Sequence, residues 1–196
     1  MAPTKDESGL DHTQYPNCNI HFVASSLPEE LPTLDEIEQR FSGRPETYNI
    51  KTMQMNGNSN YIVKRDISLV MEGWTMLYLK KMTRIPTPTV YAILTDKPAN
   101  RDIIIMEYIP NQSLEKTWQT LKDAEKEDTA NQLAAYFAEL RALPPPGFFG
   151  RSLPPEFGNL GKQPLTDTLF GVIGEGAEFG GPFDTVEQLR KGLGDA

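Results

Sequence analysis

Cys18 is the sole cysteine of the chain, so no internal disulfide forms and a cysteine-based zinc site is excluded. Histidine is almost as scarce: His12 and His21 are both near the N-terminus. Positive charge is the minority sign, with 19 Lys and Arg against 27 Asp and Glu for a net charge of −8, and no basic cluster stands out. Phosphate backbones need a positive footprint, so no nucleic-acid partner is expected. Long apolar runs are missing as well. None approaches the ~20 residues that cross a bilayer, and Met1-Ala-Pro-Thr-Lys-Asp-Glu7 lacks the apolar stretch of a secretory signal. A cytoplasmic, soluble protein without a membrane partner is the expectation.

What the chain does have is a 38% hydrophobic content over 196 residues, enough for a core. Residues 1 to about 30 read as a mobile polar lead-in, with scattered prolines and no period. Thr33-Leu-Asp-Glu36 is a capping-box pattern that opens a short helix running to about Phe41. Tyr48 to Gln54 and Asn60 to Lys64 read as a hairpin around Asn56-Gly57-Asn58. A helix is predicted over Ile67 to Met82, ended by the prolines of Ile85-Pro-Thr-Pro88. Strands follow at Thr89 to Leu94 and Ile103 to Tyr108, joined by the turn Asp96-Lys-Pro-Ala-Asn100. The longest helix, about Ala124 to Ala142, places Leu133, Phe137 and Leu140 on one face. A short helix near Leu165 to Val172 and a last one capped by Asp184, with Glu187 at the capping-box position, complete the reading.

Strands, one helix in their midst, more strands and then helices describe an α+β chain in two lobes, 31–110 and 111–196, behind the 1–30 lead-in.

Several segments carry a resemblance. Tyr61-Ile-Val-Lys64, Ile85-Pro-Thr-Pro-Thr-Val-Tyr91, Ile104-Ile-Met-Glu-Tyr-Ile-Pro110, Gln132 to Gly147 and Gly181-Pro-Phe-Asp184, in this order and spacing, resemble the phosphotransferase family that includes aminoglycoside and choline kinases, in its fungal form. The resemblance implies a protein-kinase-like N-terminal lobe, an antiparallel sheet plus one helix, and an incomplete helical C-terminal lobe. It makes Lys64 the phosphate-binding lysine, a point charge on a long stem. It makes Lys64 the partner of Glu72, which otherwise complements the dipole of its own helix. The backbone carbonyl of Glu107 and the amide of Ile109 would face adenine, with Met106 guarding the back of the pocket. The cofactor so implied is ATP, weakly held, since only Gly57 stands where a glycine-rich phosphate loop would be.

The catalytic residues of that family read H-G-D-x-x-x-x-N, with a further metal-binding Asp beyond them. After the long helix the aspartates are Asp167, Asp184 and Asp195, and none has an Asn five residues on. No catalytic and no metal-binding residue is therefore assigned. The expectation is a truncated phosphotransferase-like chain that keeps the ATP-binding lobe without phosphoryl transfer, magnesium entering only with a missing C-terminal lobe. Two alternatives stay open: a non-catalytic interaction module on a kinase-like lobe, and an α+β domain whose likeness is structural alone. The apolar face of the long helix is expected to support self-association or a protein partner.

Overall fold

Ile103, Ile104 and Ile105 follow one another and each is 0% exposed, the mark of a strand covered on both faces. In the computed structural model, which describes residues 12–42, 50–54, 60–110, 112–144 and 182–192, they lie in the middle of a five-stranded antiparallel sheet. Its strands are β1 (Cys18–Val23), β2 (Ile50–Gln54), β3 (Asn60–Asp66), β4 (Val90–Asp96) and β5 (Arg101–Glu107). They are arranged in the order β1-β4-β5-β3-β2. The chain is α+β, and it divides into two units, 1–135 and 136–196. That division falls inside the long helix and not near Pro110, where the sequence reading separates its lobes.

Each face of the sheet has its own core. On one, helix α1 (Leu34–Phe41) sets Leu34 and Ile37 against Tyr61, Val63, Ile103 and Ile105. Its capping box forms as predicted: Glu36 N donates to Thr33 Oγ1 at 3.3 Å and Thr33 N to Glu36 Oε2 at 2.8 Å. On the other face, helix α2 (Leu69–Met82) lays Leu69, Val70, Trp74 and Leu77 over Val90, Ile93 and Ile104. Thr83 N closes α2 on Leu79 O at 2.9 Å before the prolines.

The lead-in expected over residues 1–30 is replaced, from residue 12 on, by ordered structure. A 3-10 turn at His12–Gln14 precedes β1, which pairs with β4 at the sheet edge. Buried Tyr15 donates its hydroxyl to Pro32 O at 2.7 Å. The signal was weak because an edge strand with one half-covered face, polar Asn19 and His21, and a bulge between Ile20 and Phe22 breaks the alternation that marks strands. Cys18 lies in this strand, where burial first and nearby Asp96 second push its thiol up to about 11. At pH 8 its thiolate fraction is then on the order of one in a thousand. Alkylation by iodoacetamide at pH 8 should be at least ~10-fold slower in the folded chain than in urea. A native rate within a factor of three of the urea rate would contradict that burial.

The 114–144 region holds α3 (Leu114–Thr117), not anticipated from sequence, a 3-10 turn at Trp118–Thr120, and α4 (Asp123–Arg141). Leu133 and Phe137 on α4 are exposed. In the second unit, α5 (Val186–Gly192) begins one residue later than predicted. Its cap is Thr185 and not Asp184: Gln188 N donates to Thr185 Oγ1 at 3.1 Å, and Gln188 Oε1 accepts from Thr185 N at 3.2 Å and from Asp184 N at 2.8 Å. Thr185-x-x-Gln188 is itself a capping-box pattern, and the amide side chain outcompetes Glu187 for the reciprocal bond. The hairpin loop at 56–58 and the short helix near 165–172 lie outside the described residues. Among those described, no helix is long and apolar enough to cross a membrane.

Candidate functional site

Alternation along β3 sends consecutive basic residues to opposite faces. Arg65 turns toward α1, where Nη2 lies 2.7 Å from Glu38 Oε1. Lys64 turns toward α2, and its Nζ donates to both carboxylate oxygens of Glu72, at 2.6 Å to Oε2 and 2.9 Å to Oε1. The pairing of Lys64 with Glu72, one of two readings of the sequence, is thus present in the fold. The side chains are 23% and 40% exposed. At that exposure solvent screens the attraction, and the coupling falls in the range of ~0.2–1 kcal/mol for open pairs, below that of deeply buried ones. Three protons sit on the ammonium and Glu72 engages two bonds, so the third is directed elsewhere.

Met106 lies across from Ile62 in the β3–β5 ladder and packs with the core under α2. Glu107 ends β5 opposite Tyr61, three positions along β3 from Lys64, a separation of about 10 Å. Its backbone amide is already committed to Thr89 O at 2.8 Å, and its carboxylate accepts from Thr89 N at 3.0 Å. Hydrogen bonds to the carboxylate from the Thr89 amide first and its hydroxyl second hold the Glu107 carboxyl below the usual carboxylate range. Ile109, beyond the strand, is exposed. Lys64 and Glu72 are therefore brought into contact, Met106 shares their face of the sheet, Glu107 ends β5 and Ile109 lies just beyond it.

Three residues that sequence reasoning missed join this face. Val70 N, in the first turn of α2, donates to Asp102 Oδ2 at 3.2 Å. Thr95 Oγ1 donates to Asp102 Oδ1 at 2.7 Å, and His21 Nε2 lies 2.8 Å from Thr95 Oγ1. The Thr95 proton being committed to the carboxylate, its oxygen accepts, so His21 carries its hydrogen on Nε2. Burial lowers the His21 pKa, with Asp102 pulling less strongly the other way. The residue at the cap position, Ser68, is left-handed (φ 62°) and makes no side-chain cap bond. The cap of α2 comes instead from a strand 32 residues away, which no local pattern could signal. Among the described residues no three His, Cys, Asp or Glu side chains gather as a metal site. No family model, no curated protein and no solved structure matches the chain.

Proposed function

We propose that the sheet and α2 form the nucleotide-binding lobe of an aminoglycoside-phosphotransferase-like, kinase-like protein. The observation that carries this reading is the Lys64–Glu72 pair, which fixes a half-open ammonium on one face of the sheet with a donor left for a phosphate oxygen. Met106 supplies an apolar surface on that face, and the ~10 Å from Lys64 to the end of β5 is a span that a nucleotide laid along the strand covers. With the Glu107 amide occupied by Thr89, the donor to adenine is the Ile109 amide and the acceptor the Glu107 carbonyl. Binding is the extent of the reading: the family's acid–base and magnesium-binding pattern has no counterpart among the aspartates of this sequence.

Calorimetric titration with ATP tests it. Saturable binding is expected, weakened by on the order of 10-fold in Lys64→Ala (about 1.4 kcal/mol) and unchanged in Lys97→Ala, on the exposed β4–β5 turn. Binding indifferent to Lys64, or none at millimolar ATP, would overturn the reading. A second reading, an interaction module, is favoured by the exposure of Leu114 and Trp118 in the first unit. It predicts concentration-dependent self-association, or partner capture, with no response to nucleotide.

A further inference from the structure

We propose that Asp102 is a positioning residue for the Lys64–Glu72 pair: from β5 it caps the first turn of α2, and Thr95 and His21 hold its carboxylate in place. Glu72 lies between two points at which α2 is fixed to the sheet. One is the Val70–Asp102 bond, two residues before it. The other is Gly73, one residue after it, where the helix backbone comes so near that an added Cβ would stand 2.6 Å from Ile93 Cδ1. Gly73 fixes the height of the helix above the sheet but not its rotation or its slide along the axis. A hydrogen bond to a first-turn amide constrains both.

The carboxylate needs its own support. Asp66 pairs with Asp102 across β3 and β5, two acids side by side. The Thr95 hydroxyl opposite on β4 and the positive end of the α2 dipole offset that repulsion. The β1 bulge between Ile20 and Phe22 falls on His21, whose Nε2 meets Thr95. A chain of bonds therefore runs from His21 on β1 through Thr95 on β4 to Oδ1 of the carboxylate whose Oδ2 holds α2, two residues along β5 from Ile104, the cross-strand partner of Lys64. This deepens the nucleotide reading and rests on it for its purpose, while the positioning itself has a separate test.

The test uses the full chain and three readouts. Val70 has no partner within its own helix turn, so its amide exchange reports the Asp102 bond, with Ile104 as the reference for global opening. Asp102→Asn should accelerate Val70 exchange by on the order of 10-fold beyond any change at Ile104. The Lys64 ammonium signal in a 15N-edited spectrum should shift part of the way to its position in Glu72→Gln. Thr95→Val, close in shape, should reproduce both effects in smaller measure, Thr95→Ser should restore parental behaviour, and His21→Phe should give the smallest acceleration. ATP affinity should fall with the shift of the Lys64 signal. A parental Val70 rate or an unmoved Lys64 signal in both Asp102→Asn and Thr95→Val overturns the positioning. A parent that binds no ATP, with the exchange and Lys64 effects intact, overturns the nucleotide reading alone.

Discussion

Tyr61→Ala is expected to lower stability by about 3–5 kcal/mol, the range for truncating a buried aromatic, and the melting temperature by roughly 6–20 °C. Tyr61 is 0% exposed in the core beneath α1. Its ring meets Tyr91 edge-on, with centroids 5.3 Å apart. Its hydroxyl donates to Glu29 O at 2.9 Å, holding the stretch that leads into α1. Truncation therefore opens a cavity and leaves a carbonyl without its donor. Tyr61→Phe keeps the ring and removes only that bond, so it should cost about 1 kcal/mol. Urea unfolding of both variants separates the two contributions. A Tyr61→Ala cost below about 1.5 kcal/mol would mean that the core beneath α1 is not packed as described.

Gly73→Val should destabilise by ~1–3 kcal/mol through overpacking and separate Glu72 from Lys64. Glycine inside a helix gives up about 1 kcal/mol against alanine, and α2 accepts that loss because of what lies beneath it. A Cβ at position 73 would meet Ile93 Cδ1 at 2.6 Å and Cγ1 at 2.8 Å, with Ile104 Cδ1 at 3.5 Å. One methyl meets Cγ1 as well as the tip, so the whole Ile93 side chain must shift; the gain in helix propensity offsets part of that cost, and Gly73→Ala should lose about 1 kcal/mol. Two further carbons leave no such room between two fully buried isoleucines, and the helix must lift. Urea unfolding measures the cost, and the Lys64 ammonium signal reads the lift. A Gly73→Val chain as stable as the parent, with that signal in place, would show that α2 does not rest on Ile93.

Where a structural choice is local, the sequence determined it. The capping box at Thr33 and Glu36 lies within four residues, and α1 starts there. The β-branched run from Ile103 reads as a strand and forms one, and the prolines after Met82 stop α2. Lys64 and Glu72 sit eight residues apart on a strand and the helix that follows it, so the short connection between them makes their meeting legible.

The remaining features were decided by tertiary structure, because their partners are far apart in the chain. An edge strand such as β1 has little hydrophobic alternation of its own and gains its hydrogen bonds only when β4, more than 65 residues away, presents them. The cap of α2 has no local candidate that forms, since Ser68 is left-handed and makes no side-chain cap bond. Asp102 supplies it across the sheet, held by Thr95 and His21. A glycine reads as a helix weakness in sequence, and only the approach of Ile93 explains why position 73 can carry nothing larger than a methyl without moving the helix.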